Sequence, residues 1–198
     1  MTQITRLFIT SFSILLFYLS LEGIQRKYKV RTEITRKIAH VCSGVFAILF
    51  SYILYRNEFI VVSLLFFFFF LFTYFTKSLK SISVSDRRTI GEITYPLGVI
   101  VLAMSLYGAK WVFIGGLLIL AVPDAVAGLV GLRLRQTGKS AIGSMSYFIC
   151  SLIILAFLRD PLTAAGIAAV LTLIEMISPF GFDNLTVPIG YLLLVSHF

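Results

Sequence analysis

Eight apolar runs separated by short polar connections dominate this chain, at about 4–21, 38–55, 59–75, 93–107, 111–132, 145–158, 162–177 and 185–198. Each reaches or approaches the roughly 20 residues that carry a helix across a bilayer. Residues 66–70 of the third are all phenylalanine. Such a pattern restricts the backbone, because a chain in hydrocarbon has to satisfy its own N–H and C=O groups, and a helix does so within one segment. The expected fold is all-α: a polytopic transmembrane helix bundle of seven or eight membrane helices. Residues 1–198 form one integral membrane domain.

Composition agrees. Only 13% of the 198 residues are charged and the mean hydropathy is +0.98, whereas a soluble domain carries about 25% charged residues. The net charge of +8 does not point to nucleic acid, because the basic residues fall between apolar runs, where they act as topology signals. Arg26, Lys27, Lys29, Arg31, Arg36 and Lys37 lie in the first connection. Lys77, Lys80, Arg87 and Arg88 lie in the third, and Arg133, Arg135 and Lys139 in the fifth. These are 13 of the 17 Lys and Arg. The positive-inside rule then puts the odd-numbered connections in the cytoplasm and the N-terminus outside. The first run has no small-residue cleavage site before Glu22 and reads as a membrane helix, not a signal peptide. The small size and lack of a targeting segment point to a prokaryotic plasma membrane. Cys42 and Cys150 sit in apolar runs and read as buried thiols.

The unusual polar residues gather on the cytoplasmic side. Asp124 stands nine positions before Arg133, roughly 13 Å of helix into an apolar run. A carboxylate there needs a cation or a hydrated cleft, and Mg²⁺ bound through one or two carboxylates and phosphate oxygens supplies one. Pro123 should kink or break the fifth helix. If the helix resumes at Asp124, then Asp124, Ala127, Gly128 and Gly131 share a face. The loop Gly138-Lys139-Ser140, followed by Gly143-Ser144, has the residue types that hold phosphates: open backbone N–H groups, an ammonium and a hydroxyl. It is not a P-loop, since no strand precedes it and the upstream glycine spacing is absent.

Three further clusters share that side. Arg36, Lys37, His40 and Gly44 lie on one helical face by their spacing. This is also the pattern of a basic flank touching lipid headgroups. Glu92 opens the fourth run just before Tyr95-Pro96, where an acidic residue suits a helix N-terminus. Glu175 closes the seventh run, and Ser178-Pro179-Phe180-Gly181 turns the chain toward Asp183-Asn184. Two carboxylates and an amide at the same end as Asp124 fit a second metal ligand and a general base.

These segments together resemble the CTP-dependent lipid-alcohol kinases: dolichol kinase, phytol kinase and the CTP-using diacylglycerol kinase. RKIAHVCSG (36–44) is similar to the family's basic-His-Ser-Gly segment, and GEITYPLG (91–98) to its Gly-Glu…Pro segment. PDAVAGLVG (123–131) resembles Gly-Asp-x-x-Ala…Gly, with Pro123 where the family has Gly. GKSAIGSMSYF (138–148) resembles Lys-Ser/Thr-x-x-Gly-Ser, and LIEMISPFGFDNLTVP (173–188) resembles Glu…Asp-Asn-x-x-x-Pro. The five segments stand in the family's order, and the loop between Asp124 and Lys139 is shorter than in the family.

The resemblance implies phosphoryl transfer from CTP to the hydroxyl of a membrane lipid alcohol at the cytoplasmic leaflet. The alcohol could be a polyprenol or dolichol, phytol or diacylglycerol. Asp124 and Asp183 would hold Mg²⁺, and Glu175 or Asp183 would take the hydroxyl proton. Gly138, Lys139, Ser140, Gly143 and Ser144, with Arg36, Lys37, His40, Arg88 and Asn184, would hold nucleotide and phosphate. Glu92 would be a further polar site residue. The alternative in the same chemistry is a phosphatidate cytidylyltransferase-type CTP:lipid transferase. A small membrane transporter is the non-enzyme alternative.

Overall fold

The computed structural model describes residues 1–82, 89–134 and 139–197. Arg87, Arg88, Arg135 and Gly138, which figure in the expectations above, lie outside them. The described residues form helices and turns with no strand. In chain order the helices are α1 (Gln3–Tyr28), α2 (Thr32–Phe50), α3 (Arg56–Thr76), α4 (Gly91–Leu106), α5 (Lys110–Ala121), α6 (Pro123–Arg133), α7 (Ala141–Ala156), α8 (Pro161–Ile177) and α9 (Asp183–His197). Three stretches are long and apolar enough to cross a membrane: Gln3–Tyr28, Arg56–Thr76 and Lys110–Arg133. Three shorter helices, α4, α7 and α8, are apolar too.

The largest boundary differences from the sequence expectation lie in the first connection. The first connection is mostly helix: α1 continues through Arg26 and Lys27 and ends at Lys29, which adopts the left-handed conformation at φ 51°. Arg26 Nε donates to Glu22 one turn earlier at 2.7 Å, which supports the added turn. α2 begins at Thr32, so Arg36 and Lys37 ride on the helix and do not flank it. The break expected at Pro123 is present, with Val122 separating α5 from α6.

α5 is the central element, packed on α2, α4, α6, α7 and α9. Phe113 and Leu117 are fully enclosed. Small residues permit this: a methyl group on Gly116 would lie 2.9 Å from a Leu102 methyl. α1 and α3 lie at the edge. Ile4, Phe8, Phe12 and Leu16 recur every four residues on α1 and are all exposed, an apolar stripe suited to acyl chains and not to water.

Polar contacts tie the two ends of the bundle. At one end Arg6 grips Glu58 (Nε–Oε2 2.9 Å), joining the starts of α1 and α3. At that end Lys110 donates to the Ser51 carbonyl and Arg56 to that of Met104. Asp160 caps α8 through Leu162 and Thr163 N–H at 3.2 and 3.1 Å. Hydrogen bonds from Thr163 hold the Asp160 carboxyl below the usual carboxylate range. At the opposite end the buried carboxylate of Glu22 accepts from Ser81 N–H at 2.8 Å, and Thr35 donates to Ser81 O at 2.5 Å. These bonds clamp the chain that leaves α3.

Candidate functional site

The first half of the site forms where α2 crosses the α5–α6 break. Gly44 has no side chain to hold off Ala121, so the helices close there. Lys37, nearly two turns earlier, reaches Asp124 in the first turn of α6. Its Nζ lies 2.7 Å from Oδ2 and 2.9 Å from the backbone oxygen of the same residue. Gly128 makes room for this, since a methyl group there would collide with Lys37 Cε. The carboxylate also sits at a helix N-terminus, where backbone dipoles favour negative charge. His40 Nε2 is 2.9 Å from the Leu120 carbonyl. A carbonyl only accepts, so this nitrogen carries the hydrogen. It also lies 3.9 Å from Asp124 Oδ2.

The second half comes from the α7 entry, the end of α8 and the start of α9. Lys139 Nζ is 2.7 Å from Glu175 Oε1 and 3.4 Å from Asp183 Oδ2, and it also donates to the Glu175 backbone carbonyl. Ser140 caps α7, its hydroxyl accepting from Gly143 N–H at 3.1 Å. The halves meet at the carboxylates: Asp124, Glu175 and Asp183 each offer an oxygen within 4.8 Å of the other two. Three anions this close repel unless cations intervene, and the ammonium groups of Lys37 and Lys139 do so. An all-oxygen, anionic donor set of this kind suits a hard divalent ion such as Mg²⁺.

α4 and α9 hold this arrangement rigid. Asn184 Nδ2 donates to Gly91 O at 2.9 Å, Thr94 Oγ1 to Gly181 O at 2.6 Å and Ile90 N to Phe180 O at 2.9 Å. Gly181 needs its glycine: its φ is +87°, and a methyl group would lie 2.6 Å from Gly91 N. Pro188 cannot donate to the Asn184 carbonyl one turn back. Gly98 brings the α4 backbone against that same oxygen.

A cavity of about 450 Å³ unites these groups, within the size range of small-molecule sites. Arg36, Lys37 and His40 of α2 line it, as does Glu92 of α4. Asp124 borders it with Ala127, Gly128 and Gly131, the shared face expected from their spacing. Lys139, Ser140, Gly143 and Ser144 form another wall, and Glu175, Asp183 and Asn184 complete it. Thus every described residue to which the resemblance gives a site role borders one space. Two of them also have structural tasks: Ser140 caps α7, and Asn184 pins α9 to α4. One Glu92 oxygen is buried without a partner among the described residues.

The sequence reading gave Tyr18 and Ser43 no role of their own and placed Tyr95 only among the polar residues of that side; all three line this cavity. Tyr18 OH and Ser43 Oγ lie 2.6 Å apart, and Tyr95 packs edge-on against His40 at 4.6 Å between ring centroids. Ser43 and Tyr95 lie within the segments quoted above, but Tyr18 stands alone in an apolar run and gives no signal.

The fold and site define a class: an apolar helix bundle with a charged, carboxylate-lined cavity at one end. No protein-family model, curated protein or solved structure matches the chain.

Proposed function

We propose that the protein is a CTP-dependent kinase that phosphorylates the hydroxyl of a membrane lipid alcohol. The observation that carries this reading is the meeting of Asp124, Glu175 and Asp183, from three different helices, with Lys37 and Lys139 beside them. Phosphoryl transfer asks little covalent chemistry of a protein; it needs positioning and charge neutralisation.

Asp124 and Asp183 would hold Mg²⁺, which would supply neutralisation of the phosphoryl charge. Lys139, with the N–H groups at the start of α7, holds the phosphate oxygens, and Arg36 and Lys37 add positive charge from α2. His40 and Ser144 line the same wall, and Glu92 remains a polar neighbour of the acceptor. The lipid oxygen forms the new bond to the terminal phosphorus as the bond to the bridging oxygen breaks. CDP leaves with that electron pair. The hydroxyl proton passes to a carboxylate oxygen of Glu175 or Asp183, the pair that Lys139 bridges.

The bundle crosses the membrane eight times, with α5 and α6 together making one crossing and the N-terminus outside. The cavity then faces the cytoplasm, where nucleotide is available, at the plasma membrane of a prokaryote. In support, the polar contacts at the Arg6 end are compact, while the cavity end carries most of the basic residues.

The test is a panel of polyprenol, phytol and diacylglycerol acceptors, each with CTP, ATP and GTP, using purified protein in lipid vesicles. Phosphorylated lipid with release of CDP supports the reading. Release of pyrophosphate identifies a cytidylyltransferase, and solute flux without CTP consumption identifies a transporter.

A further inference from the structure

Behind the charged cavity lies a second, smaller space of about 60 Å³. Its walls are almost wholly apolar: Ile14 of α1, Ala47 and Phe50 of α2, Val62 and Phe66 of α3, and Val99 of α4. Ser63 is its one hydroxyl away from the neck, and that group is spent on the Phe59 carbonyl at 2.9 Å. A space this apolar offers water too few partners to hold it. The two spaces share four wall residues, Tyr18, Ser43, Phe70 and Tyr95. At this neck the charged lining gives way to hydrocarbon. From Phe70 back to Phe59 the crevice follows α3 for roughly 16 Å, away from the carboxylates.

We propose that this crevice seats a single hydrocarbon chain of an amphiphile whose polar head lies in the charged cavity. The assignment of the head as a lipid alcohol rests on the function proposed above; the seat for the chain rests on the wall of Tyr18, Ser43, Phe70 and Tyr95 that the two spaces share. A polar pocket that shares a wall with a dry apolar slot is complementary to a molecule with one polar end and one long apolar tail. A nucleotide alone has nothing to place there. The narrow slot takes one chain, and the hydroxyls of Tyr18, Ser43 and Tyr95 mark where head ends and tail begins. The crevice thereby fixes how far the acceptor hydroxyl projects toward Asp124 and Asp183.

Two variants narrow the crevice from different walls: Ala47→Phe on α2 and Ser63→Leu on α3. Full-length protein in lipid nanodiscs is titrated with a labelled long-chain primary alcohol and with a short-chain homologue. Each variant that melts as wild type should bind the long-chain alcohol about tenfold more weakly, and the short homologue and CTP unchanged. Equal weakening of both alcohols, or of neither, overturns the proposal. A photoreactive group on the tail of the same alcohol gives a readout that needs no variant. Cross-links on the inner walls at Val62 and Phe66 support the crevice. Cross-links confined to outward residues such as Phe8 and Phe68, or to a second copy of the chain, overturn it. The two readings fail separately. Tail binding in the crevice without phosphoryl transfer sinks the kinase and leaves the crevice. Transfer whose KM is the same for long and short acceptors, in wild type and variants alike, sinks the crevice and leaves the kinase.

Discussion

Lys37 and Asp124, 87 positions apart in sequence, meet through both the side chain and the backbone of the aspartate, at 2.7 and 2.9 Å. The double contact holds α2 against the start of α6 and fixes one corner of the cavity. Lys37→Met should remove the partner of a half-buried carboxylate and destabilise the fold by about 1–3 kcal/mol. Adding Asp124→Asn should recover part of that loss, because the orphaned charge is gone, while turnover stays abolished. Melting temperatures of the two single variants and the double variant check the coupling. Additive losses would show that the pair contributes nothing jointly.

Gly128 and Gly44 both lie on closely packed faces, yet alanine should act differently at each. At Gly128 the new methyl meets only the flexible end of Lys37. The lysine moves off Asp124, so turnover should fall at least tenfold, and adding Lys37→Met to Gly128→Ala should cost little further stability because the contact is already lost. At Gly44 the methyl meets Ala121 and its backbone, neither of which can swing away, so the helices must part. That overpacking should destabilise by about 1–3 kcal/mol. Melting curves and turnover measured side by side separate the two outcomes.

Much of the site was legible in the sequence because charge in an apolar run is costly and therefore informative. Asp124, Glu175 and Asp183 stood out on that ground, and the structure brings them within 4.8 Å of one another. Arg36 and Lys37 were harder to place, since a basic membrane flank and a helical turn entering a cavity look alike from composition. The sequence gives no sign that Lys37 binds Asp124 and Lys139 binds Glu175, because those pairings depend on how helices cross. Tyr18 was illegible because an isolated tyrosine in an apolar helix is ordinary. Helix boundaries shifted where a local bond, such as Arg26 to Glu22, outweighed the polarity of the segment.

Lys139 bridges Glu175 and Asp183 where a divalent ion would compete for the same oxygens. Removing the ammonium with Lys139→Met should therefore lower the concentration at which Mn²⁺ binds, while phosphoryl transfer falls through loss of a phosphate partner. Mn²⁺ binding to the purified protein, followed by electron paramagnetic resonance, checks the first part. Weaker binding in the variant would contradict it. Chelation of divalent ions should abolish transfer in wild type, and Mg²⁺ should restore it.

The proposed orientation has its own test. Asn57 and Lys29 are exposed at opposite ends of the bundle. Single cysteines at these positions, with Cys42→Ser and Cys150→Ser in the background, should react differently with a membrane-impermeant thiol reagent on intact cells. Asn57→Cys should label from outside, and Lys29→Cys only after permeabilisation. The reverse pattern would place the cavity outside, away from nucleotide.

The most direct measurement of the central claim uses CTP labelled on its terminal phosphate, a lipid alcohol in vesicles, and wild type beside Asp124→Asn. Wild type should move the label onto the lipid and release CDP, and the variant, assayed at a temperature where it stays folded, should be slower by on the order of a hundredfold or more. Label transfer in Asp124→Asn at near wild-type rate, or no transfer by wild type to any lipid alcohol, would contradict the account.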